Sequence, residues 1–194
     1  KERSLPELHL EKKNEGFMDA SQVQYVARAG NYVRDGFSYH GALRILKVIM
    51  GYDYLWINVR VKGGAYGCMN SYMRNGDTYF VCYRDPNLKK TDEIYDGIPQ
   101  YLADFKADER EMTKYIIGTI SDMDTPMNPS AKGARSMTAY LQGLDFVDIQ
   151  KERDQVIGAT DEDIRGLKDL IASVLEEKNL CVIGNEDNLK SQSD

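Results

Sequence analysis

Apolar and polar positions change their period several times along the chain, and each change marks a new element. Val23, Tyr25 and Ala27 alternate with Gln22, Gln24 and Arg28, the two-residue period of a half-buried strand over 21–29, with Val26 out of phase. Gly30-Asn31 punctuates it. From Ser38, the positions Tyr39, Leu43, Leu46, Ile49 and Met50 recur at helical spacing and predict an amphipathic helix to Met50. Gly51 separates it from a shorter helix ending at Arg60, in which Leu55, Trp56 and Val59 can face a core. Gly63 and Gly64 then stop the helix, because glycine accepts the positive φ of a C-cap. Asn75-Gly76-Asp77 between the runs 65–74 and 78–84 reads as a hairpin turn. On its strands Tyr66, Cys68, Asn70 and Tyr72 share one face, and Tyr79, Val81 and Tyr83 lie opposite Phe80 and Cys82.

The remainder reads mostly as helix. Thr91 is placed to cap a helix burying Ile94, Ile98, Leu102 and Phe105, which Pro99 should bend. Asp108-x-x-Glu111 is a capping-box pattern opening a helix with Met112, Tyr115, Ile116 and Ile120 inward. Further helices are expected from Pro129 to about Gly143 and from Asp145 towards Gly158. Thr160-x-x-Asp163 starts the last, with Ile164, Leu167, Leu170, Ile171, Val174 and Leu175 inward. The run 179–184 is a short apolar strand for the sheet interior, and the polar tail from Glu186 is expected to fray. This order predicts an α+β domain with helices packed on one face of a mostly antiparallel sheet. The expected organisation is a polar linker over 1–13, one domain over 14–185 and a tail over 186–194.

Composition narrows the functional classes. A chain of 194 residues suits one domain, and no apolar run approaches the ~20 residues a membrane helix needs. The net charge of −6 argues against a general affinity for nucleic-acid phosphates and is compatible with basic peptides. The tyrosines of the hairpin lack the basic stripe of a nucleic-acid stacking platform and read as strand packing. Cys68, Cys82 and Cys181 are too few and scattered for a disulfide framework and read as buried strand residues. The chain opens on Lys1 rather than methionine, so the lack of a signal peptide says nothing of a longer parent.

Candidate chemistry gathers at one junction. Arg60 sits near a helix C-terminus, where a cation suits the helix dipole, and Tyr66 emerges two residues beyond the glycine pair, its phenol beside that guanidinium. The competing reading is an ordinary helix-to-strand junction. The Gly-x-x-x-x-Gly-Lys-Ser/Thr spacing of a phosphate loop is missing around Lys62. His9 and His40 are the only histidines and do not form a metal-binding pair, so no metal site is assigned. No serine or cysteine lies in a nucleophile elbow.

The string Arg60 to Gly67, Arg-Val-Lys-Gly-Gly-Ala-Tyr-Gly, resembles the Arg/Tyr element of the presequence-protease branch of the insulinase-like (pitrilysin) zinc peptidases. Asn14-Glu15-Gly16-Phe17, Tyr83-Arg84-Asp85-Pro86-Asn87, the stretch 108–126, Lys151-Glu152-Arg153-Asp154 and Cys181-Val182-Ile183-Gly184-Asn185 resemble the same branch, so the likeness spans 14–185. It implies a metalloenzyme-like domain of the pitrilysin/processing-peptidase type, the fourth of four that close around a peptide-filled chamber. Zinc would belong to another domain carrying His-x-x-Glu-His, leaving this chain inactive alone. The resemblance makes Arg60, Gly63, Gly64 and Tyr66 substrate-binding: Arg60 would hold the substrate backbone and Tyr66 would donate to the oxyanion of the attacked carbonyl. Implied partners are an unfolded peptide and the other domains of the parent; the bare fragment is expected to self-associate. The compartment would be cytoplasmic for a bacterial source, with an organelle possible for a eukaryotic one. The alternative is a non-catalytic peptide-binding module of the same fold.

Overall fold

The sheet takes the order β1-β5-β2-β4-β3, in a computed structural model that describes residue 11 and residues 14–191. Its strands are β1 (Glu15–Asp19), β2 (Gln24–Asn31), β3 (Gly67–Tyr72), β4 (Asp77–Asp85) and β5 (Asn179–Asn185). All neighbours are antiparallel except β1 and β5. Helices cover one face, as the order of elements predicts. The other face carries Phe17, Tyr25, Met69, Tyr79 and Ile183, all exposed.

Strand β2 runs in the opposite phase to the one its apolar residues suggest. Gln24, Val26 and Arg28 are buried, while Tyr25 is exposed. Val26 therefore marks the true inward face, and the charge at Arg28 is what hides it. Its guanidinium donates to Asp92 at 2.6 Å, Asp96 at 3.2 Å and the Leu175 carbonyl at 2.7 Å, which makes its burial tolerable. Strand β1 went unpredicted, because every residue of this edge strand is exposed and no alternation betrays it.

Helix α1 (Ala42–Ile49) buries Leu43, Leu46 and Ile49 as expected, together with Ala42 and Ile45. Gly51 does not break it. The chain continues helically through π-helical turns at Met50–Tyr54 and Trp56–Val61, with Leu55 and Val59 buried. Helix α2 (Lys89–Asp96) starts ahead of Thr91, which is internal and donates its hydroxyl to Asp85; Gly97 and Pro99 break rather than bend the run, and α3 (Ile98–Ala103) follows. Helix α4 (Glu109–Met123) opens on the Asp108/Glu111 capping box. Helices α5 (Pro129–Leu141) and α6 (Phe146–Ile157) follow, capped by Asn128 and Asp145. The Thr160/Asp163 box opens α7 (Asp161–Arg165), and Gly166 separates it from α8 (Lys168–Glu176). Ile164, Leu167, Leu170, Ile171, Val174 and Leu175 all enter the core. Strand β5 is interior, flanked by β1 and β2. The first part of the expected fraying tail is a helix, α9 (Glu186–Ser191), where Lys190 pairs with Glu186 four residues back. The expected linker, apart from residue 11, lies outside the described residues, as do His9 and 192–194.

Candidate functional site

The end of the π-helical run sets the site. The last π turn closes with Lys62 N–H on the Ile57 carbonyl five residues back, after which Gly64 N–H reaches the Arg60 carbonyl and Ala65 N–H the Val59 carbonyl. Gly64 takes φ +86° to do so. Gly63 is packed so closely that a Cβ would lie 2.4 Å from the Val59 carbonyl oxygen. Its own carbonyl accepts from the Asn87 side-chain amide at 2.6 Å. The glycine pair is thus tied to the Asp85-Pro86-Asn87 turn at the end of β4.

Asp85 anchors that turn. Wholly buried, its carboxylate accepts from the Asn87 backbone N–H at 2.8 Å and the Thr91 hydroxyl at 2.6 Å. It reaches the interior through a bulge. Tyr83 and Arg84 together face Tyr25 alone, the register shifting between Val26↔Cys82 and Gln24↔Asp85, and Arg84 adopts φ +50°. By strand parity Arg84 would point inward with Phe80 and Cys82. The bulge sends Asp85 inward and leaves Arg84 exposed.

Arg60 and Tyr66 come together as the sequence predicts. The Arg60 guanidinium lies 4.6 Å from the centroid of Trp56, one residue group back at i−4, and 5.9 Å from that of Tyr66. Trp56 is therefore not the core residue expected of it: it is 42% exposed and forms the floor under Arg60. Tyr66 is 58% exposed. Two contacts were missed by sequence reasoning. Arg84 lies 5.6 Å from the Tyr66 ring on its own account, and Tyr83 meets Tyr66 edge-on at 5.4 Å. Gly67 makes room for Tyr83, since a Cβ there would fall 2.4 Å from its ring. Nearby, burial pushes the Cys68 thiol up to about 11, with the Arg60 guanidinium pulling against it. The thiol is thus protonated at neutral pH and a poor nucleophile. Among the described residues no group of three His, Cys, Asp or Glu side chains could hold a metal ion.

Comparisons with known proteins bear on the same stretch. The family described as PreP C-terminal domain matches residues 14–186. Protein HypA of Clostridium perfringens is 50% identical over 185 residues, covering 95% of this chain and 19% of that protein. Presequence protease 1, chloroplastic/mitochondrial, of Arabidopsis thaliana is 34% identical over 171 residues, covering 88% of this chain and 16% of that protein. The chain therefore spans less than a fifth of the length of these relatives. Among solved structures, a peptidase M16 inactive domain from Pseudomonas fluorescens aligns with TM-score 0.64 at 15% identity, over 88% of this chain and 42% of that one. Pitrilysin aligns with TM-score 0.58 at 13% identity, over 87% of this chain and 19% of that one. At such identities these two speak for the fold.

Proposed function

The chain belongs to the PreP C-terminal domain family, and from that membership we propose that it is the substrate-binding, transition-state-assisting C-terminal domain of a zinc-dependent endopeptidase that degrades peptides in a closed chamber. The observation that carries this reading is the exposed Tyr66 phenol beside Arg60 at the end of a helix whose glycine cap is tied down by Asn87. A reacting group gains most from a donor already held where charge will develop. Tyr66 would donate its phenolic hydrogen bond to the carbonyl oxygen of the scissile peptide as that oxygen becomes negative. Arg60, held from below by Trp56, would grip a substrate backbone carbonyl. Gly63 and Gly64 would line the same peptide path, offering close approach, since the Gly63 carbonyl and Gly64 N–H are already engaged.

Zinc would be supplied by another domain of the parent, activating water for attack. The partners are then the peptide and those other domains. Among the described residues no helix is long and apolar enough to cross a membrane.

The test belongs in the full-length parent. Tyr66→Phe removes one oxygen and leaves the ring against Tyr83, so kcat is expected to fall roughly 100- to 1,000-fold, about 2.7–4 kcal/mol, with KM changed much less. Arg60→Ala should raise KM as well, because a backbone contact made before chemistry is lost. Melting temperatures of both variants should match the parent. A well-folded Tyr66→Phe enzyme with near-parental kcat would remove Tyr66 from the reaction.

A further inference from the structure

Among the described residues two that are not glycine have positive φ, Arg84 at +50° and Lys178 at +47°. Lys178 needs no special account: it follows α8, where a left-handed residue commonly ends a helix. Arg84 is different, because it sits within a strand, at a bulge, and carries a side chain that disfavours this backbone conformation. Glycine or asparagine would relieve the strain. Strain of this kind persists where the arrangement it produces is used.

What it produces is a second guanidinium on the Tyr66 ring. Arg84 and Arg60 lie 5.6 and 5.9 Å from that ring's centroid. Among the described residues neither is in an ion pair, whereas Arg28, Arg44, Arg74 and Arg165 all have carboxylate partners. The Arg60 Nε is moreover buried without a hydrogen-bond partner. In a protein of net charge −6, two arginines gathered on one phenol, neither of them ion-paired among the described residues, leave a place for a carboxylate from outside.

We propose that Arg84 is a substrate-positioning residue which, with Arg60, binds a carboxylate of the peptide beside Tyr66. That carboxylate is either an acidic side chain or the C-terminal α-carboxylate. The inference rests on the reading of Arg60 and Tyr66 as the peptide site and adds to it a charge preference. Tyr66, its ring 5.9 and 5.6 Å from the two cations, orients the peptide bond adjoining the anchored group.

Trp56 is the single tryptophan of the chain and touches Arg60, so its fluorescence reports occupancy directly. The chain is titrated with three decapeptides of one sequence: a C-terminal amide with glutamine at an internal position, the same peptide with a free C-terminus, and the amide with glutamate replacing the glutamine. At low salt either the free acid or the glutamate peptide should bind at least fivefold more tightly than the uncharged one, and which of them does identifies the source of the carboxylate. Arg84→Gly should abolish the preference and keep or raise the melting temperature by releasing the backbone. Arg84→Lys, which retains charge without the planar fork, should restore part of it. Equal affinity for all three peptides, or a preference that survives Arg84→Gly, overturns the role of Arg84 and leaves the Arg60/Tyr66 site standing. Binding of none of them overturns both.

Discussion

Gly63 decides where Arg60 can point. A methyl group there would meet two backbone oxygens, 2.4 Å from that of Val59 and 2.9 Å from that of Asn58, and neither belongs to a side chain able to swing away. Gly63→Ala should therefore cost about 1–3 kcal/mol and unwind the last π-helical turn, moving Arg60 off Trp56. Thermal melting and Trp56 fluorescence measure the two effects; an unchanged spectrum at an unchanged melting temperature would show that the turn tolerates the methyl group. The proximity of Arg60 and Tyr66 was legible in sequence because they lie within seven consecutive residues and their meeting needs only a local turn. Arg84 was not. Its place depends on one extra residue in β4, and counting alternate positions assigns it to the core beside Cys82. Val26 was misread for a related reason: a buried arginine at 28, satisfied by Asp92, Asp96 and the Leu175 carbonyl, looks polar and so outward-facing in sequence.

Among the elements, the capping boxes at Asp108 and Thr160 were readable because each is complete within four residues. Glu152 shows the opposite case. It sits in α6 in the charged run Lys151-Glu152-Arg153-Asp154, yet it is 5% exposed, accepting from the Tyr39 hydroxyl at 2.5 Å and pairing with Arg44 and Arg74. Three elements, α1, α6 and the hairpin, are thereby joined through one carboxylate. Burial raises its pKa, but the hydrogen bonds and charges of Arg44, Tyr39 and Arg74 prevail and hold it below the ordinary glutamate value. A depressed folded pKa means stabilisation that is complete above the unfolded value of about 4.3 and is lost as pH falls through the folded one. Glu152→Gln should thus destabilise by about 2–4 kcal/mol at pH 7, less than for a fully buried pair because Arg44 is 44% exposed. Urea denaturation from pH 7 to 3 should show the gap between parent and variant narrowing in acid. A gap independent of pH would mean that the carboxylate's charge contributes nothing.

At the scale of the whole molecule, the α+β class followed from the order of strand, helix, hairpin, helices and strand, and the missed edge strand β1 did not disturb it. The surface was harder to foresee. Helix α5 buries no residue, and where it meets α6 the side chains of Met137, Tyr140, Leu141, Phe146 and Val147 are 60–83% exposed. Apolar residues scattered singly over a surface are ordinary, but this group lies on one elbow of two consecutive helices. The relatives, of which this chain spans less than a fifth, have further polypeptide that could lie against such an elbow. In isolation the elbow has only other copies to meet, and the chain is expected to self-associate as its concentration rises. Tyr140→Glu with Phe146→Glu should leave it monomeric at an unchanged melting temperature, because neither side chain contributes to the core. Sedimentation velocity over a hundredfold concentration range distinguishes the outcomes. A parent chain that stays monomeric throughout would show that this elbow does not drive association, and association persisting in the double variant would place the contact elsewhere, with the exposed sheet face of Phe17, Tyr25 and Ile183 next to be tested.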